Sequence, residues 1–260
     1  MISTKKHRHL NVFGIQVGTT SFDESPRLIS ELVEKKAASY VCIINVHVLV
    51  TGVRDHHFRR ILNAADWTFP DGVPLVWYAR HHLGLTHVER VAGPSLMTRC
   101  FHALQDVKHF FYGTTDHTLS KLTGIAKQRY PNINISGCIS PPFRPLRDSE
   151  RKEIIACIND VSPDIIWVSL GAPKQETWMW EMRKEINRGV MIGVGAAFDY
   201  FVGNIKRPPV WIQRFGLEWL CRLYQDPVRL SKRYLITNSL FLFYLAKDLI
   251  FNRANQTKGK

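Results

Sequence analysis

The chain has 260 residues, 45% of them hydrophobic and 22% charged, which excludes a disordered or fibrous polymer and allows one large domain, or one domain with an appendage, around a real core. Its 35 Lys and Arg against 22 Asp and Glu give a formal net charge of +13, spread unevenly: residues 11–205 hold 21 basic and 19 acidic groups, residues 206–260 hold 11 and 3. A nearly neutral body with a basic tail argues against a protein that coats nucleic acid along its length.

The opening segment, MISTKKHRHL, carries Lys5, Lys6 and Arg8, but Gly14, Gln16 and Gly18 interrupt the next stretch, so no secretory signal is expected. From about residue 10 to 200, short runs rich in Val, Ile and Phe alternate with helical stretches. The runs at 40–44, 67–69, 109–112, 165–170 and 190–194 predict buried strands, and the stretches at 118–129, 149–159 and 175–188 predict helices. This alternation predicts an α/β fold: a mostly parallel, Rossmann-like sheet with flanking helices. Ligands of such sheets bind outside the carboxyl ends of the strands. The residues just past each run are Asn45 with His47, Pro70-Asp71-Gly72, Gly113-Thr114-Thr115, Gly171-Ala172-Pro173-Lys174-Gln175 and Gly195-Ala196-Ala197. Glycine in four of these five turns lets backbone N–H groups approach a ligand, and a helix starting beyond adds its dipole. Tight strand-to-helix turns also need glycine for themselves, but together the five favour a phosphate-bearing small molecule.

Past Gly203 the character changes. Lys206-Arg207-Pro208-Pro209 is a break, after which Trp211, Phe215 and Trp219 recur every four residues, as one stripe of a helix. Asp226-Pro227 reads as an N-cap and first helical residue, with Arg229 and Arg233 on one face and Lys232 beside it. The expected organisation is therefore an α/β domain over 1–203, a basic and apolar helical appendage over 204–251, and a flexible tail over 252–260. The most apolar window, 235–251, has its longest clean run at 240–246, too short to span a bilayer. It reads either as a helix packed on protein or as one lying on a membrane surface.

Five scattered cysteines (Cys42, Cys100, Cys138, Cys157, Cys221) form no C-x-x-C pair, so neither a disulfide framework nor a structural zinc is expected, and a reducing cytosol is. There is no H-E-x-x-H, G-x-S-x-G or Walker motif. Gly193-Val194-Gly195 begins like a dinucleotide fingerprint, but Phe198 stands where the third small residue belongs. Without Asp-x-Asp, and with His56-His57 and His81-His82 diverging around a helix, no metal site is expected. Asp71 is the carboxylate to watch. It reads either as a turn residue of Pro-Asp-Gly or, from its place at the binding edge, as a general base that removes a proton from an acceptor hydroxyl. Arg90, in Glu89-Arg90-Val91-Ala92-Gly93, is either a solvated charge or an anion clamp.

In order and spacing, Asn45, Pro70-Asp71-Gly72, Glu89-Arg90-Val91-Ala92-Gly93, Gly171-Ala172-Pro173-Lys174-Gln175-Glu176, Gly193-x-Gly195-Ala196-x-Phe198-Asp199 and Gly216-Leu217-Glu218-Trp219-Leu220-x-Arg222-Leu223 resemble the WecG/TagA/CpsF glycosyltransferases, over about residues 10–245. The resemblance implies an inverting, metal-independent transfer of a hexose or N-acetylhexosamine-type sugar from a UDP-sugar to a polyprenyl-diphosphate-linked saccharide, for a cell-surface polymer. UDP-sugar is then a substrate, and no cofactor is implied. Asp71 falls where the family has its base, with Arg90 as catalytic partner. Asn45, Gly93, Gly113, Gly171, Pro173, Gln175, Gly195 and Asp199 fall among substrate-binding positions. Arg222 and Arg229 match arginines of the family's membrane-associating appendage. Lys232 lies at the third basic spacing and Arg233 follows it; a lysine there neutralises charge but offers no bidentate fork. Ile43 departs from relatives that carry a hydroxyl two residues before the Asn. The resemblance places the enzyme in the cytoplasm, peripheral on the inner face of the membrane, with homo-oligomers left open and nucleic acid not a partner. The competing readings are a non-catalytic basic protein that binds anionic lipid or RNA, and an NAD-dependent oxidoreductase.

Overall fold

Residues alternating along each apolar run point to opposite faces of a sheet, so runs that are apolar at every position need cover on both sides. The structure, a computed structural model, meets that need. It describes the backbone of residues 9–257 and the side chains of residues 9–250; Lys5, Lys6, Arg8 and residues 258–260 of the polar tail lie outside the described residues.

In chain order the body contains β1 (His9–Val12), β2 (Ile15–Gly18), α1 (Ser25–Glu34), β3 (Ala38–Ile44), α2 (Val46–Arg54), α3 (His56–Asn63) and β4 (Trp67–Pro70). Then come α4 (Val73–Trp77), which runs on as a π-helical turn (Tyr78–His82), α5 (Gly93–Ala103), β5 (Lys108–Gly113), α6 (Asp116–Arg129), β6 (Asn134–Ile139) and α7 (Asp148–Val161). β7 (Ile165–Ser169), α8 (Lys174–Met182), β8 (Gly189–Gly193) and α9 (Ala197–Val202) complete it. The appendage consists of α10 (Val210–Arg214), α11 (Glu218–Gln225) and α12 (Pro227–Thr257), so the last helix extends into the segment expected to be a tail.

Six strands form one parallel sheet in the order β4-β3-β8-β7-β5-β6. Tyr40, Cys42, Ile44, Phe110, Tyr112, Ile166, Val168 and Met191 face one core, which also takes in Leu49, Ile158, Met179 and Phe241. Val41, Ile43, Phe111, Ile165, Trp167, Val190 and Ile192 face the other, with Ile29, Phe101, Leu122 and Phe198. Burying such side chains on both faces is the main force behind the sheet, at about 1.5–3 kcal/mol for each large one. β1 and β2 form a separate antiparallel hairpin, tied to β4 because Gly18 N–H donates to Thr68 Oγ1 (2.8 Å) and Thr68 Oγ1 donates to Gln16 O (2.9 Å).

Two expectations are corrected. The helix expected over 175–188 stops at Met182: Met182 O accepts from both Glu185 N (2.9 Å) and Ile186 N (2.9 Å), a tight turn that drives Ile186 into the core. Trp211, Phe215 and Trp219 do not share one helix. The chain breaks at Gly216, whose φ of 73° suits glycine, and which lies so close to Val73 that an added Cβ would sit 2.8 Å from the Val73 Cβ.

Candidate active site

Because the sheet is parallel, the turns after β3, β4, β5, β7 and β8 all open at one end, beneath the appendage. There they line a cleft of about 1330 Å³. Ligand pockets commonly measure about 300–1,000 Å³, so this cleft has room for more than one small ligand.

Asn45 caps α2: Val48 N–H donates to its Oδ1 (3.0 Å), which leaves the side-chain amide N–H groups for a ligand. Asp71 follows β4, and its N–H donates to Ile44 O (2.8 Å), which fixes the turn beside β3. Arg90 Nε donates to Asp71 Oδ1 (2.8 Å), and Arg90 Nη2 donates to Glu218 Oε2 (2.6 Å). Burial raises the Asp71 carboxyl above its ordinary pKa, and the Arg90 charge and hydrogen bond pull it back. Burial works against the Arg90 charge, but Asp71 and Glu218 outweigh it and hold the guanidinium firmly protonated.

Gln175, at the start of α8, spans to the turn after β8: Gly195 N–H donates to its Oε1 (3.0 Å), and its Nε2 donates to Glu176 Oε1 (2.9 Å). Glu176 is fully buried, its Oε2 has no partner among the described residues, and burial pushes its carboxyl up to about 7. Gly171, Gly195, Asp199 and Gly93 also line the cleft. An added Cβ at Gly195, where φ is 57°, would meet nothing within 4 Å, so the backbone there is open to a ligand. Gly113 does not line the cleft. It lets β5 approach β7, since an added Cβ would sit 2.4 Å from Ser169 O. Pro173, after a cis peptide bond, likewise stands behind the lining; Ala172 and Lys174 face in.

From the appendage come Arg222, Arg229 and Arg233. Arg222 lies over the Tyr200 ring (5.4 Å) and Arg233 over Tyr234 (5.1 Å), and neither has an ion-pair partner among the described residues. The buried Arg233 Nε has no acceptor there. Arg229 is largely exposed and pairs with Asp226 (2.6 Å). Lys232 does not line the cleft, so the third basic side chain that the appendage brings to it is Arg233. Burial, aided by Arg233, pushes the neighbouring His47 down to about 4, and its Nδ1 has no partner among the described residues. Among the described residues, no three of His, Cys, Asp and Glu gather as a metal-binding group. The site thus joins one partly buried carboxylate to several cations, a set suited to deprotonating a hydroxyl beside an anionic leaving group.

A sequence profile of the Glycosyl transferase WecG/TagA/CpsF family matches residues 10–255. The chain belongs to this family. Over 198 residues it is 28% identical to the "N-acetylglucosaminyldiphosphoundecaprenol N-acetyl-beta-D-mannosaminyltransferase" of Bacillus spizizenii (strain ATCC 23059 / NRRL B-14472 / W23), with 75% of each chain covered. A protein of the same name from Bacillus subtilis (strain 168) is 27% identical over 224 residues, 84% of this chain and 83% of that one. A cleft residue to which the sequence pattern assigned no role is Glu218. It stands in the Gly216–Arg222 motif, but its partner Arg90 lies 128 positions earlier. Glu176, next to Gln175 in its own motif, went unassigned for a different reason, since burial is not written in a glutamate.

Proposed function

We propose that this glycosyltransferase-family member moves a hexose or N-acetylhexosamine-type sugar from a UDP-sugar to a polyprenyl-diphosphate-linked saccharide, with inversion and without a metal. The observation that carries the reading is the pairing in one cleft of a partly buried carboxylate, Asp71, with Arg222 and Arg233, guanidinium groups without a carboxylate partner among the described residues. In the step, an acceptor hydroxyl oxygen forms the bond to the sugar's C1 while the C1–O bond to the nucleoside diphosphate breaks. Asp71 takes the hydroxyl proton, and UDP leaves with the bonding pair. Cations preorganised around the departing diphosphate stabilise the charge it gains. The relatives' names support an N-acetylmannosamine donor and an N-acetylglucosaminyl-diphospholipid acceptor as the first pair to try.

The reading also places the protein at the cytoplasmic membrane surface. Val210, Trp211, Phe215, Val228, Leu235 and Leu242 are exposed large apolar side chains of the appendage, beside its basic residues. Such a concentration marks an interaction surface, and anionic headgroups add on the order of 1 kcal/mol per nearby Lys or Arg. Among the described residues no helix is long and apolar enough to cross a membrane.

The test is single-turnover transfer from UDP-N-acetylmannosamine to a synthetic N-acetylglucosaminyl-diphospholipid, with and without a chelator. Asp71→Asn is expected to lower the rate by about 10²–10⁴-fold while leaving UDP binding intact. Near wild-type transfer by correctly folded Asp71→Asn would remove Asp71 as the base. Loss of activity with chelator, restored by a divalent cation, would remove the metal-independent reading.

A further inference from the structure

We propose that Glu218 is a positioning residue through which the appendage sets the proton affinity of the base in the cleft; the inference rests on the reading of Asp71 as that base. Asp71 and Arg90 belong to the α/β body, whereas Glu218 opens α11 of the appendage. The Arg90 guanidinium bridges them, with Nε on Asp71 (2.8 Å) and Nη2 on Glu218 (2.6 Å). All three side chains are at most 22% exposed, so water screens the network weakly. Glu218 also approaches Arg207 Nε (4.0 Å), and Arg207 Nη2 donates to Ser95 Oγ (2.7 Å) on α5.

A guanidinium facing a single carboxylate stabilises that carboxylate's ionised form and makes it a poor base. Shared between two carboxylates, it gives less to each, and the second negative charge raises the first one's proton affinity. The charges acting on Asp71 are Arg90 and Arg207, which lower its pKa, and Glu218, which raises it. With α11 seated, Glu218 draws Arg90 partly away and adds its own charge. With α11 displaced, Arg90 is left to Asp71 alone. The chemistry is thereby coupled to the seating of the appendage, and the base reaches full strength only in a closed cleft.

Glu218→Gln keeps an acceptor for Arg90 Nη2 and removes the charge; Glu218→Ala removes both. In the full chain, single-turnover transfer is measured across pH 5–9 for both variants, wild type and Asp71→Asn, together with proteolysis of the 206–225 region. Glu218→Gln is expected to move the acidic limb of the rate profile to lower pH by about half a unit or more and to lower the plateau several-fold, with donor KM within about twofold. Glu218→Ala is expected to share that shift and, in addition, to expose the appendage to protease. A Glu218→Gln profile superimposable on wild type would overturn the inference, as would equal rate losses in both variants with an unmoved limb, the mark of a purely structural role. Near wild-type activity in Asp71→Asn overturns the underlying reading instead. An inactive Asp71→Asn beside an unaffected Glu218→Gln overturns only the coupling.

Discussion

Glu176 and His109 give the protein two opposed proton linkages, and replacing one exposes the other. Glu176 is fully buried, and burial raises its carboxyl from 4.5 to about 7, against the help of its hydrogen bonds from Gln175 and a backbone N–H. Between these values the folded state binds more protons than the unfolded chain. Stability therefore falls as pH rises from 4.5, and the loss is complete above about 7. A separation of about two and a half pH units corresponds to about 3 kcal/mol. His109 runs the other way. It is also fully buried, held neutral between Leu104 O (2.8 Å) and Trp167 Nε1 (3.1 Å), and burial lowers it from 6.5 to about 4. The unfolded chain takes up the proton first, so stability falls as pH drops from 6.5 towards 4, again by about 3 kcal/mol. Over pH 4.5–6.5 the Glu176 slope opposes that of His109, and His47, which burial also lowers to about 4, adds to the histidine side, so the wild-type profile is expected to fall towards acid less steeply than the two histidines alone would make it. Glu176→Gln keeps the oxygen that Gln175 contacts and deletes the titration. In urea unfolding it is expected to gain up to about 3 kcal/mol over wild type at pH 8, to match it near pH 4.5, and to lose stability steeply on acidification. A difference between variant and wild type that is the same at pH 8 and pH 4.5 would refute the assignment.

Two further outcomes concern the placement of the appendage. Arg233 lines the cleft and Lys232 does not, so Arg233→Ala is expected to weaken inhibition of transfer by inorganic pyrophosphate about tenfold, with Lys232→Ala changing it less than twofold; the concentration dependence of inhibition checks both. Leu235 and Leu242 are exposed by 73% and 63%, and the double variant Leu235→Ser, Leu242→Ser is expected to reduce co-sedimentation with anionic phospholipid vesicles at least tenfold without altering the UDP affinity.

How much was legible depended on what each segment buries. The five expected strands are central or covered ones, and full burial on both faces writes itself as a continuous apolar run. β6 was not legible. It is an edge strand, and Asn134, Ser136, Gly137 and Cys138 leave it half exposed, so neither run nor alternation stands out. The β1–β2 hairpin has the alternation, with Leu10, Val12, Ile15 and Val17 buried, but each strand is only four residues long. Between β3 and β4 the segment rich in β-branched residues, Val46–Arg54, forms a helix because Asn45 caps it and its apolar face packs on the core, an instance of tertiary context overriding local preference. In the site, residues supplied by single turns were legible from their place after a strand: Asn45, Asp71, Gly171, Gln175, Gly195. Partnerships across the fold, such as Arg90 with Glu218 or Gln175 with Gly195, were not, because each is made by packing and neither by spacing.

The basic, all-round apolar character of the C-terminal segment now has a geometric cause. Along α12, Leu230, Thr237 and Phe241 are buried, and Arg233 lies on the same side, lining the cleft. Val228, Leu235 and Leu242, spaced by seven, form the outer stripe and are exposed. One helix therefore lines the cleft with its inner side while its outer side offers apolar groups to whatever covers it, and a helix with two apolar sides has little amphipathic contrast to read. The same division apportions the charge. Arg207 is engaged with Ser95 and Glu218, and Arg222, Arg229 and Arg233 line the cleft, so these four of the 11 basic residues after position 205 are placed at or beside the cleft. If the outer stripe meets the lipid surface as proposed, binding to anionic vesicles should depend on salt less steeply than the region's full excess charge predicts, and most of its strength should survive at physiological ionic strength, where the screening length is about 8 Å.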